Sequence, residues 1–106
     1  MRKKTTSDAL IILAQMTGKN PQRQRQFEEE MANREVASKI YQLREKAKLS
    51  QAELARRVGT TQSVISRLED ADYDGHSLAM LNRIAAAVER RVEIRFVPRK
   101  RQLQPA

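Results

Sequence analysis

Apolar side chains recur along this sequence at threes and fours in most segments and at twos in one. That change of period predicts a set of helices followed by a single strand. Near the start, Leu10, Ile11, Leu13 and Ala14 follow Ser7, whose hydroxyl can accept from the amides that open a helix, and Gly18 offers a stop. Gly18 to Pro21 reads as a hinge. Asn20 then stands as a cap with Pro21 at the first helical position, and no breaker intervenes before Lys48. Phe27 and Met31 lead that segment, and Val36, Ile40, Leu43 and Ala47 continue it after a step of five. The step predicts two abutting helices or one bent one.

Ser50 and Glu53 form an S-x-x-E capping box, so a helix starts there, and Gly59 supplies the left-handed turn that ends it at about Arg57 or Val58. Thr60 is expected to cap a next helix that turns Val64, Ile65 and Leu68 inward and ends before Asp72. Ser77 caps a further helix carrying Leu78, Leu81, Ile84, Ala85 and Val88. From Val92 to Val97, β-formers alternate with charges until Pro98, which reads as a half-buried strand. With no second strand in the chain, its open backbone groups are expected to pair with the same strand of a second copy, Val92, Ile94 and Phe96 forming the seam. The expected fold is all-α with one C-terminal β-strand pairing across a homodimer.

Composition narrows the chemistry. The 106 residues suit one compact domain plus arms, and a palette of 40% apolar but only 4% aromatic residues, with no tryptophan, suits short packed helices and leaves no large cofactor cavity. No cofactor is expected. The net charge of +8 makes a polyanion the leading partner. Its distribution is uneven: residues 1–26 carry six basic groups against Asp8, residues 34–97 carry twelve against nine acidic, and the tail adds Arg99, Lys100 and Arg101. This divides the chain into an N-terminal basic arm and helical extension (1–33), a core domain with the strand (34–97) and a basic tail (98–106). Arg2-Lys-Lys4 and Arg99-Lys-Arg101 suit either phosphate-tracking arms or solubilising tails. The absence of cysteine removes disulfides and thiolate sites and fits a reducing compartment. Although Met1-Arg-Lys-Lys and the apolar run from Ala9 imitate a secretion signal, Asp8 interrupts, the run is short and no small-x-small site follows, so a cytoplasmic protein is expected.

The run QAELARRVGTTQSVISRLED, residues 51–70, has the spacing of a DNA-binding helix-turn-helix. Ala55 is small enough for two helices to approach closely, Gly59 makes the turn, and Val58, Ile65 and Leu68 set the crossing. The outer face of the second helix is then Thr61, Gln62, Ser63, Ser66 and Arg67, with Thr60 at its entry. Those side chains can reach base edges or phosphates in a major groove about 12 Å wide. An αα-hairpin used only for packing is the plainer alternative. Over roughly residues 34–88 the chain resembles the Xre family, whose prototypes are the lambdoid phage repressors and Cro proteins. The matching runs are Gln51 to Ala55, Val58 to Gln62, and Ile65 with Leu68-Glu69. The resemblance implies a lambda-repressor-like domain with Gln51 as a phosphate clamp, Gln62 and Ser63 as a base-reading pair, and Arg67 on a base or phosphate.

The helical segment before this domain, the stretch Val64 to Leu78 and the terminal strand together resemble Xre-type antitoxins of the HigA and HipB kind. That narrower resemblance implies a toxin partner and autorepression of a toxin-antitoxin operon, with Leu10, Ile11, Leu13, Phe27 and Met31 as candidate toxin contacts. The same side chains could instead cover the domain's own core. A stand-alone Xre regulator and a pure protein-interaction module are the competing readings.

The acidic loop from Asp70 to Asp74 is expected to face away from DNA, with a basic toxin surface as a second destination. Asp70-Ala-Asp72-Tyr-Asp74-Gly75 matches the first half of a calcium loop, but its twelfth position is Leu81 rather than a bidentate glutamate, so a solvated turn is expected. His76 is the only histidine and reads as a loop residue, with no dyad and no metal site. Glu28, Glu29 and Glu30 splay over different helix faces as a solvated acidic turn. No enzymatic activity is expected.

Overall fold

The computed structural model describes residues 20–99, and within them the chain is all-α: α1 (Pro21–Lys46), α2 (Gln51–Val58), α3 (Gln62–Leu68) and α4 (Leu78–Ala87). The expected helix that begins after Ser7, with Leu10, Ile11 and Leu13, lies outside the described residues, as do Arg2 to Lys4, Lys100 and Arg101.

α1 is one helix. Asn20 Oδ1 accepts from the amides of Gln22 (2.9 Å) and Arg23 (3.1 Å), and Pro21 sits at the first turn, where its missing N–H costs nothing. The step of five does not break it, because the two halves have different surroundings. Ala37, Ile40 and Arg44 are buried, whereas Phe27 and Met31 stand 58% and 50% exposed. Those two side chains therefore do not cover the domain's core. The helix ends at Lys46 rather than Lys48, because Lys48 turns left-handed (φ 61°) and the chain doubles back, the Leu49 amide reaching the Arg44 carbonyl at 3.1 Å. No glycine marks this stop.

α2 begins at the expected capping box. Ser50 Oγ accepts from the Glu53 amide (3.0 Å), and Glu53 Oε1 accepts from the Ser50 amide (2.7 Å). The helix closes at Gly59, whose φ of 85° is strained for a residue with a Cβ. α3 is capped by Thr61, not Thr60: Thr61 Oγ1 accepts from the Val64 amide (3.3 Å). Three residues, Gly59 to Thr61, separate the two helices, the length expected of this turn, and the Gly59 and Thr60 amides both close back on the Ala55 carbonyl. α3 ends at Leu68, before Asp72 as expected. Asp70 then folds an Asx turn, its Oδ1 accepting from the Asp72 amide at 2.9 Å. Ser77 opens α4 as expected, accepting from the Met80 amide at 3.1 Å.

α2 packs against both α3 and α4. Ile40, Leu54, Ala55, Val58, Ile65, Leu68 and Ile84 form one core, with Val36, Leu49, Met80 and Leu81 at its edge. Each short helix contributes an inward stripe at a spacing of three or four, so none is buried all round. Fully burying one such Leu or Ile is worth roughly 1.5–3 kcal/mol.

Residues 91–99 are extended without forming a strand, and no strand occurs among the described residues. The expectation of a strand over Val92 to Val97 fails here because a strand requires a hydrogen-bonded neighbour, which the described part of one chain does not provide. Ile94, Phe96 and Val97 are left 60%, 97% and 72% exposed.

Candidate nucleic-acid interface

The amphipathic pattern of α3 decides which of its side chains face out. Ile65 and Leu68 are buried against α2, so Gln62, Ser63, Ser66 and Arg67, on the opposite face, are exposed. Thr61 is exposed and its hydroxyl is engaged in capping. Thr60 is half-buried in the turn. The four outward side chains form no hydrogen bond among the described residues, which leaves an amide, two hydroxyls and a guanidinium free on one short rod.

What holds that rod is a polar cluster that the apolar pattern did not indicate. Arg44 lies on the buried side of α1, in series with Ala37 and Ile40, and is itself buried. Its Nε donates to Glu69 Oε2 at 2.7 Å, its Nη2 to Glu69 Oε1 at 3.0 Å, and its Nη1 to the Leu49 carbonyl at 2.9 Å. This bidentate geometry is the strongest form of the pair. The Glu69 carboxylate raises the Arg44 pKa still further above its ordinary value. Glu69 Oε1 also accepts from Gln51 Nε2 at 3.1 Å. One carboxylate at the end of α3 thus ties α1, the start of α2 and α3 together. It also removes an electrostatic obstacle, since an unpaired carboxylate beside the outward face would repel phosphates.

Two further contacts brace the motif. Arg83 of α4 donates through Nη2 to the carbonyls of Val58 (2.9 Å) and Gly59 (3.2 Å), placing a cation at the negative end of α2. His76 Nε2 lies 2.8 Å from the Leu68 carbonyl, so Nε2 carries the proton and donates to the last turn of α3. Its buried Nδ1 has no partner among the described residues, and its ring meets Tyr73 edge-on at 5.1 Å between centroids. His76 is thus a loop residue, as expected, but one that fixes the exit of α3. The sequence carried a legible signal for Arg44 alone: a charged residue in a buried helical series calls for an acidic partner.

The expected site residues fall into two groups. Gln62, Ser63, Ser66 and Arg67 share one exposed face with Thr61 at its end, whereas Gln51 is half-buried with one amide N–H committed to Glu69. Of the expected protein-contact set, Phe27 and Met31 are exposed on the N-terminal half of α1, and Leu10, Ile11 and Leu13 lie outside the described residues. The acidic loop borders that half of α1, where Glu29 and Glu30 face Asp72 and Asp74 across a cleft of about 690 Å³.

Two short helices crossing at a glycine turn, with the second one's polar face outward and its other face in the core, define a DNA-binding helix-turn-helix domain. The helix-turn-helix family model matches residues 40–92, half of the chain, and the chain belongs to this family, of the Xre/Cro-CI type. The family comprises sequence-specific DNA-binding domains of transcription regulators and is not enzymatic. Comparison with curated proteins and with solved structures gave no match. No helix among the described residues is long and apolar enough to cross a membrane.

Proposed function

We propose that this chain is a cytoplasmic transcriptional repressor that binds a palindromic operator as a homodimer, reading bases with α3. The observation that carries this is the exposed, unpaired face of Gln62, Ser63, Ser66 and Arg67 on a helix whose other face is locked in the core. Gln62 has the amide geometry to read adenine, and Ser63 lies beside it. Arg67, about one turn on, reaches guanine or a phosphate. Thr60, Thr61 and Ser66 supply hydroxyls for the flanking backbone. Gln51, oriented by Glu69, keeps its second amide N–H for a phosphate. The arm before residue 34 and the tail after residue 97 add positive charge without reading sequence.

The test is a binding titration on operator and random DNA at several salt concentrations. Gln62→Ala and Arg67→Ala are each expected to lower the operator-to-random ratio by about 1–3 kcal/mol, while Gln51→Ala weakens both DNAs alike. Equal losses on both DNAs from all three changes would remove the assigned roles.

A second function in the same chain, antitoxin and autorepressor of a type II toxin-antitoxin operon, draws support from Phe27 and Met31, which stand exposed on the N-terminal half of α1. The toxin is then expected to bind this half of α1 together with Leu10, Ile11 and Leu13. A stand-alone regulator remains the alternative, since the family match begins only at residue 40. Co-expression with the product of the adjacent reading frame separates the two: an antitoxin is expected to co-purify with it and to lose it on Phe27→Asp with Met31→Asp. Absence of a complex with the unaltered chain leaves the stand-alone regulator.

A further inference from the structure

Residues of α1, α4 and the segment after α4 line a groove of about 810 Å³, in which Val36, Ile40, Leu43, Leu81, Ile84 and Val92 supply apolar surface among charged side chains such as Lys39, Glu45 and Arg90. From Val92 the chain runs extended beside α1 to Arg99, whose Nε donates to Glu28 Oε2 at 2.7 Å and Nη2 to Glu28 Oε1 at 3.0 Å. The segment is therefore held at both ends, while Ile94 and Phe96 between them stay exposed. An extended backbone fixed in this way is an open edge.

We infer that a second copy of this chain covers this edge in one register, antiparallel and centred on Ile94, so that Phe96 of the partner subunit enters the α1–α4 groove beside Val92. This rests on the homodimer reading above and specifies its interface. Two-fold symmetry and alternation restrict the choices, because paired residues must point to the same side of the ribbon. Centring on Glu93 sets two Glu93 face to face and Arg91 against Arg95. Centring on Arg95 sets two Arg95 face to face and brings Pro98 opposite Val92. Centring on Ile94 sets Glu93 opposite Arg95 twice over and Val92 opposite Phe96 twice over. Opposite charges directly across an antiparallel pair attract and like charges repel, so of these three registers only the one centred on Ile94 opposes unlike charges. A centre on Val92 would also set Arg91 opposite Glu93, but it would draw in Glu89 and Arg90, whose amides close the end of α4. Since Val92 lines the groove, the side chain opposite it is delivered to the apolar surface of the same groove, and the Phe96 left in solvent by one chain is buried by two.

The chain has no cysteine, so single cysteines report the register directly. Under mild oxidation Ile94→Cys is expected to give a disulfide-linked dimer, Glu93→Cys and Arg95→Cys are not, and Val92→Cys is expected to cross-link only when mixed with Phe96→Cys. Glu93→Arg and Arg95→Glu are each expected to weaken dimerisation roughly tenfold in sedimentation, and the two together to restore it. Phe96→Ala is expected to weaken dimerisation while leaving the circular-dichroism spectrum unchanged. A dimer that cross-links through position 93 or 95, or is not restored by the double reversal, overturns the register and leaves the dimer standing. A chain that stays monomeric at every attainable concentration overturns both, and makes another segment or protein the cover of the groove.

Discussion

Arg44 holds a position that an aliphatic side chain would ordinarily take, and its removal leaves the Glu69 carboxylate, only 6% exposed, without its charge partner. Breaking one side of such a pair costs far more than replacing both sides, because the cost is that of an uncompensated buried charge. Arg44→Ala is accordingly expected to lower the stability to urea unfolding by about 3 kcal/mol. Arg44→Met combined with Glu69→Leu should cost less than the sum of the two single changes. A double variant with fully additive losses would place the stabilisation elsewhere. Since Glu69 also orients Gln51, Glu69→Leu is expected to reduce affinity for random as well as operator DNA. Arg44 could be suspected from its place in the helical series, but its partner, 25 residues on, could not, since nothing local distinguishes Glu69 from the other surface acids.

At the scale of elements, the ends were clearer than the middles where side chains make the stop and obscure where the backbone does. Ser50, Ser77 and Gly59 announce their roles, and each performs it. Lys48 and Glu89 do not: both adopt left-handed backbone (φ 61° and 58°), and the helices before them end without a glycine. Lys48→Gly is expected to stabilise the domain by a few tenths to about 1 kcal/mol, read as a rise in Tm, because the Cβ penalty disappears. The capping box gives a pH prediction. The Ser50 amide, then its hydroxyl, hold the Glu53 carboxyl below its ordinary value. A carboxylate whose folded pKa is depressed adds stability that is complete above the ordinary glutamate range and vanishes as pH falls through the lowered value. The Tm advantage of the unaltered chain over Glu53→Gln should therefore be present at neutral pH and disappear in acid. α3, at seven residues, is far too short to persist alone, so its order comes from Ile65, Leu68, the Thr61 cap and the His76 bond to its last turn.

For the whole molecule, the proposed homodimer is expected to set its two α3 helices on one face of a duplex, at half-sites about 34 Å apart. Inserting about five base pairs between the half-sites rotates one of them to the far side of the DNA and is expected to abolish dimer binding while sparing a single half-site. Retained tight binding to the expanded site would show that the two domains are not rigidly joined. The linear pattern of the chain already contained its helices, its turn and the outward face of α3, because caps, a glycine and a 3.6-residue period are local properties that act within a few residues of backbone. It could not contain which polar groups meet across the core, that α1 runs unbroken past its change of pattern, or that residues 92–97 find no partner in the described part of one chain. Those depend on distances between segments far apart in sequence. A period can say that a side chain turns inward or that a backbone edge is left open, but what meets it there is settled when the segments are brought together.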